Sequence, residues 1–268
     1  MTHPAETFRA LHVAGDPLVM VNVWDQGTAR MMEKLGARAL ATSSAAHAYT
    51  LGRTDGGTVT RDEALAHAQD IVSVTSLPVQ GDFESGFGDA PEVCAETVRL
   101  AAEVGLAGIC IEDTMFPSQA AYPFELAVAR MAAAASAARA LPHDFVLTAR
   151  ADGIMTGQYD TDEAIRRLQA FEAAGVDCLY APLPPDMEAL ARICAAVGKP
   201  VNALAVGRFA GQSRADFGAA GVARISIGSA LARVTHQAIL DNGRMMIEGD
   251  FTGLSAAVSG DMIDDMLG

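Results

Sequence analysis

Four cysteines are scattered through 268 residues, at positions 94, 110, 178 and 194, and none forms a CxxC pair. That disfavours a disulfide framework. Cys94, Cys110 and Cys178 fall in apolar helical or strand-like runs, so free buried thiols in a reducing cytosol are expected. Long apolar runs are also missing: the alanine-rich stretch 127–141 is interrupted by Arg130 and Arg139, so no bilayer-spanning segment is predicted. The opening MTHPAETFRALHVAG has no basic stretch followed by an apolar one, and no secretory signal is expected. Basic residues number 19 against 33 acidic ones, a net charge of −14 that disfavours a nucleic-acid partner. These absences predict a cytoplasmic protein with neither membrane nor nucleic acid as partner.

What is present is alternation. Apolar, partly β-branched runs occur at 18–23, 37–42, 77–81, 108–111, 145–149, 178–181, 200–203 and 223–227. Helical patterns lie between them at 28–35, 61–74, 91–104, 123–140, 161–174, 186–197 and 213–220, and glycines at 36, 105, 175, 198 and 221 mark left-handed helix stops. Eight strands alternating with helices predict an α/β chain folded as a (β/α)8 barrel. A doubly wound open sheet is the alternative, weakened because no GxGxxG follows the first strand. Residues 1–240 are assigned to the barrel and 241–268 to a C-terminal helical extension of the same domain.

In a parallel barrel the C-terminal strand ends open onto one face, where catalytic groups collect. Here those ends carry Ser43, Ser44 and Asp55, then Asp82 and Glu84, then Glu112 and Asp113, then Arg150 and Asp152, and finally Asn202. Acids gathered at one mouth repel one another unless a cation neutralises them, and an all-oxygen set favours Mg²⁺, with Mn²⁺ also suited. Asp82, Glu84 and Glu112 are the predicted metal acids. Ser43 and Ser44, among small neighbours, let N–H and hydroxyl groups approach an anion. Arg150 supplies a planar fork for a carboxylate or phosphonate. The set describes a small acid held across a metal.

The motifs SSAAHAYTLGRTDGG, GDFESGFG, IED, TARAD and GVARISIGSALAR together give a chain that resembles the isocitrate lyase/phosphoenolpyruvate mutase superfamily over nearly its full length. The resemblance implies a (β/α)8 barrel with a swapped C-terminal helix, a homotetramer built as a dimer of dimers, and Mg²⁺. It also implies making or breaking of C–C or P–C bonds beside an α-keto acid. By the same resemblance Asp82 is a direct metal ligand, and Glu84 and Glu112 hold the metal directly or through water. Ser43 and Ser44 then cradle a substrate carboxylate, while Asp55 and Arg150 face substrate.

The departures are informative. Isocitrate and methylisocitrate lyases carry a Lys-(Lys/Arg)-Cys-Gly loop after the fourth strand; this chain has DTMFPSQAAYPF, without lysine or cysteine. Cys110 lies within the strand and is read as core. Met115-Phe116-Pro117 echoes the mutase loop, but Ser118, Gln119 and Ala120 follow. Ala181-Pro182 stands where relatives place a histidine or glutamate, and Asn202 is offset along its strand, though two positions keep the same facing.

Bland readings exist for each residue: Asp82 and Glu84 as a solvated pair, Arg150 as a surface ion pair, His47 as a packed loop histidine, and Asp113 and Asp152 as supporting groups. Acid pairs recurring after apolar strands favour the site. The predicted activity is Mg²⁺-dependent C–C cleavage, by a lyase or hydrolase, of a small α-keto or 2-hydroxy dicarboxylic acid, with Asp55, Glu112 and Arg150 in catalytic roles. The alternatives are a P–C bond enzyme on phosphonopyruvate or phosphoenolpyruvate, and a catalytically weak relative that binds a keto acid.

Overall fold

A computed structural model describes residues 3–268. Its strands are β1 (Leu18–Val19), β2 (Val21–Asn22), β3 (Leu40–Ala41), β4 (Val79–Asp82), β5 (Gly108–Glu112), β6 (Val146–Arg150), β7 (Cys178–Tyr180), β8 (Val201–Leu204) and β9 (Arg224–Ser226). All pairings are parallel, in the order β1-β9-β8-β7-β6-β5-β4-β3-β2. β1 and β2 are halves of a single predicted strand, interrupted at Met20: one half pairs with β9 and the other with β3. That switch of partner closes the sheet into the expected (β/α)8 barrel. β5 is buried at every position, as befits a parallel strand covered on both faces.

The helices are α1 (Pro4–Ala10), α2 (Gln26–Lys34), α3 (Ser44–Thr50), α4 (Arg61–Val72), α5 (Pro91–Glu103), α6 (Phe124–Arg139), α7 (Gly153–Thr156), α8 (Thr161–Ala174), α9 (Met187–Ala196), α10 (Arg214–Ala219), α11 (Ala230–Ile247) and α12 (Gly260–Leu267). Capping explains several starts: Asp25, Thr60 and Ser213 each accept from the N3 amide of their helix while the N3 side chain answers the cap. Gly36, Gly105, Gly175 and Gly221 are left-handed stops as expected, but Gly198 is not; α9 ends instead at an extended Val197. α6 turns Ala127, Ala134, Ala135, Ala137 and Ala138 inward, and these small side chains join the apolar layer between barrel and helices.

One expectation needs correction. His47 lies in α3, not in a loop; it is buried and stacks on His67 with ring centroids 3.8 Å apart. α11 runs from 230 to 247 and so spans residue 240. α11 buries only Ala232 and leaves Val234, Ile239 and Ile247 exposed, Ile247 at 89%. α12 folds back along α2 of its own chain, where the Leu267 carbonyl accepts from Arg30 at 2.8 Å. No described helix is long and apolar enough to cross a membrane.

Candidate active site

A cavity of about 430 Å³ opens at the C-terminal ends of the strands. Its wall contains Ser43, Ser44, Asp55, Asp82, Glu84, Glu112, Arg150 and Asn202, so one space gathers every residue that the sequence assigned to metal or substrate. The register brings the key groups together. Asp82 pairs with Cys110 across β4–β5, and Glu112 with Arg150 across β5–β6.

Arg150 is the hub. Asp152 grips one edge of its guanidinium, accepting from Nε at 3.1 Å and Nη2 at 2.5 Å. The other edge reaches Asp82 Oδ1 at 3.0 Å from Nη1 and Glu112 Oε2 at 2.8 Å from Nη2. Burial alone would drive the guanidinium's pKa down, but Asp152, Glu112 and Asp82 outweigh it and hold the cation firmly charged. Asp152 is fixed from behind: its amide donates to Asp113 Oδ1 at 2.8 Å, while Asp113 Oδ2 accepts from Tyr159 and Arg167.

Asp82 accepts from Ser44 twice, at 3.0 Å from the amide and 2.8 Å from the hydroxyl. Ser44 therefore anchors a predicted metal acid, and Ser43 uses its hydroxyl to cap α3. Cys110 is buried as the core reading expects, and it also lines the cavity, where its thiol donates to Asp82 Oδ1 at 3.3 Å. Burial and the Asp82 charge raise that thiol's pKa, which keeps it protonated. Asn202 also lines the cavity, but both ends of its amide are engaged, with Ser226 Oγ at 2.9 Å and Arg224 Nε at 2.8 Å. Asp55 stands exposed at the mouth.

Glu84 sits in a left-handed backbone conformation, φ 44°, unusual for a residue with a side chain and the kind of strain that gathers at functional sites. It accepts from the Gly57 amide at 3.0 Å. Gly57 is required there: its φ is 78°, and a Cβ would stand 2.6 Å from Cβ of Phe116. The segment bearing Asp55 and the loop after Glu112 thus press on each other. That loop is short, tied across its neck by a bridge between Thr114 and Ala121, with α6 starting at Phe124.

The donor set tests the fit of a divalent cation. Five carboxylates line the cavity (Asp55, Asp82, Glu84, Glu112 and Asp152) against three guanidiniums (Arg150, Arg224 and Arg233). Burial pushes Glu84 up to about 7, with Asp82 and Asp55 adding to the effect, and burial raises Glu112 well above the ordinary carboxylate range despite Arg150. Such acids hold protons that a cation would displace. Among the described residues no three His, Cys, Asp or Glu side chains converge closely enough to cage an ion directly. Mg²⁺ needs no such cage, since it keeps several waters and takes one or two carboxylates. The residues fit it on those terms, with Asp82, Glu84 and Glu112 as holders.

Tyr180 and Arg224 line the site but were not singled out as its members from sequence. Tyr180, the last residue of β7, has its ring centroid 5.4 Å from the Arg150 guanidinium. Asp152, expected from sequence as a supporting group two residues after Arg150 in TARAD, lines the same cavity.

Fold and site define a parallel barrel with an oxygen-rich, acid-lined mouth organised around one arginine. Residues 8–247 match the phosphoenolpyruvate phosphomutase family, and the chain belongs to it. Among solved structures, a Burkholderia cenocepacia J2315 protein provisionally assigned as a lyase/mutase aligns with a TM-score of 0.93 and 44% identity, covering 97% of this chain and 94% of that one. Oxaloacetate decarboxylase from Chromohalobacter salexigens is 30% identical over 80% of this chain and 75% of its own length. 2-Methylisocitrate lyase of Escherichia coli K12 is 31% identical over 75% of this chain and 69% of its own.

Proposed function

We propose that the protein is a Mg²⁺-dependent lyase that cleaves a C–C bond in a small α-keto dicarboxylic acid, with β-decarboxylation as the best-supported reaction. The carrying observation is that Arg150, Asp82, Glu84 and Glu112 share one cavity while the adjoining loop supplies no acid–base group. Mg²⁺ held by Asp82, Glu84 and Glu112 would supply Lewis-acid stabilisation of negative charge on the keto oxygen.

The chain's own groups do the rest. Asp152 immobilises one edge of Arg150, leaving the edge now facing Asp82 and Glu112 to receive a substrate carboxylate. Ser44 fixes the Asp82 carboxylate, and Gly57 fixes that of Glu84. Ser43 and Asp55 line the wall where the substrate enters. In a β-decarboxylation the electron pair of the breaking bond passes to the enolate and CO₂ departs, so no side chain must first remove a hydroxyl proton. Water entering through the mouth can then protonate the carbon.

Cleavage of an isocitrate-type alcohol does require a base for the hydroxyl and an acid for the leaving carbon. The loop offers Thr114, Ser118, Gln119 and Tyr122. Tyr122 is buried, donates to Asp89 at 2.6 Å, and is pushed up to about 12 by burial and that aspartate. Losing a positioned acid–base group lowers rates by ~10²–10⁴-fold. Isocitrate and 2-methylisocitrate are therefore expected to turn over that much more slowly than oxaloacetate under steady-state assay with Mg²⁺. Isocitrate turnover typical of metabolic enzymes would place a proton donor outside the loop and refute this assignment. The loop also lacks a cation to meet a phosphonate, which disfavours the P–C alternative.

The same reading includes a homo-oligomer. α11 and the segment after it expose Val234, Ile239, Ile247, Phe251, Leu254 and Val258, a face that a neighbouring subunit would cover. Light scattering at micromolar concentration is expected to give a mass of several chains, falling when residues 248–268 are removed; a monomeric full-length chain would refute the assembly.

A further inference from the structure

Four arginines are buried or nearly so, and two have a carboxylate as counterweight. Arg150 and Arg167 pair with carboxylates. Arg130 meets no carboxylate either: it caps the backbone carbonyls of Ser85, Gly88 and Asp89, lies 4.0 Å from the Tyr122 ring centroid, leaves its Nε without a partner among the described residues, and does not line the cavity. Arg224 shares that lack of an acid but stands in the cavity wall. It is 1% exposed, lines the cavity, and none of its hydrogen-bond partners is an acid.

Those partners form a neutral shell. Nε donates to Asn202 Oδ1 at 2.8 Å, Nη1 to Gln80 Oε1 at 2.6 Å and to His12 Nε2 at 3.1 Å, and Nη2 to Thr148 Oγ1 at 3.3 Å. His12 is held neutral: its Nδ1 donates to the Phe8 carbonyl at 2.7 Å, and burial together with Arg224 drives its pKa down to about 3. The shell solvates the guanidinium without neutralising it, and one N–H on Nη2 has no acceptor among the described residues. A buried cation in that condition, open to a cavity, is stabilised when a charge of opposite sign comes to it.

The position is also suggestive. Thr148, which touches Arg224, lies two residues before Arg150 on β6 and so faces the same side of the strand. Two residues advance about 6.6 Å along a strand. A short dicarboxylate spans such a gap.

We propose that Arg224 is a specificity-determining anion subsite on the cavity floor, which takes the distal carboxylate of the substrate whose α-keto end lies at Arg150. This rests on the function proposed above and deepens it: the enzyme selects dianionic α-keto acids over monoanionic ones.

Calorimetry on the Mg²⁺-loaded protein tests it, with pyruvate as the monoanion and 3,3-difluorooxaloacetate as a slowly reacting dianion. The parent protein is expected to bind the dianion more tightly. Arg224→Gln should weaken the dianion by about 10–100-fold, the effect of losing a hydrogen bond to a charged group, and leave pyruvate within about twofold. Asn202→Asp keeps the side-chain shape but puts a carboxylate against Nε, neutralising the cation from within. It should erase the dianion preference even if Arg224→Gln fails to fold. A dianion-to-monoanion ratio unchanged in the folded variants, or equal loss for both acids, overturns the subsite while leaving the proposed function standing. A parent protein that binds neither acid overturns both.

Discussion

Arg150→Met is expected to destabilise the protein by about 3–5 kcal/mol, because Asp82, Glu112 and Asp152 would all lose their shared cation. For a domain of this size that corresponds to a fall in Tm of roughly 6–20 °C. Protonation of Glu112, whose burial already favours the neutral acid, should hold the loss toward the lower end. Mg²⁺ ought to restore part of the lost Tm, since it would neutralise the same acids, whereas the keto acid should no longer bind. Arg150→Lys keeps the charge but not the fork, and should recover stability better than binding. Scanning calorimetry with and without Mg²⁺ decides the matter: a variant as stable as the parent would show that Arg150 is not the hub of the acid cluster.

Asp82→Ala is expected to abolish Mg²⁺-dependent binding and turnover while the barrel persists. Asp82 is only partly buried, and its partners Ser44 and Cys110 can turn to water entering the mouth. Glu84→Gln, at a position that can act through water, should weaken metal affinity by only about 10–100-fold. Titrating each variant with Mg²⁺ in the calorimeter gives the order. Binding by Asp82→Ala equal to that of the parent would remove Asp82 from the metal site.

The barrel was legible because parallel strands covered on both faces leave unbroken apolar runs, and because capping residues and glycine stops punctuate the helices between them. The mouth was legible for a related reason: acids following an apolar strand have few structural uses. α3 was missed because Ser44–Ala48 mixes small residues that read as loop, and its start is set by the Ser43 cap and by packing of His47 on His67. Cys110 and Arg224 were missed as site members because inward-facing strand residues alternate with core ones. A cysteine or arginine inside an apolar run gives no sign of which side of the strand it takes. The split of the first strand at Met20 follows from barrel closure, which no local pattern records. Nor does the sequence show that Ser44 and Asn202 are tied to Asp82 and Arg224, because those are contacts between strands distant in the chain.

The most direct measurement follows release of pyruvate or oxalate from oxaloacetate by chelator-treated protein, before and after Mg²⁺ is restored, with Asp82→Ala as the control for metal-catalysed background. The proposed function predicts no protein-dependent release without metal, release well above the Asp82→Ala control once Mg²⁺ is added, and pyruvate as the product if decarboxylation is the reaction. Protein-dependent release that is unaffected by chelation, or no release above the control when Mg²⁺ is present, would contradict it.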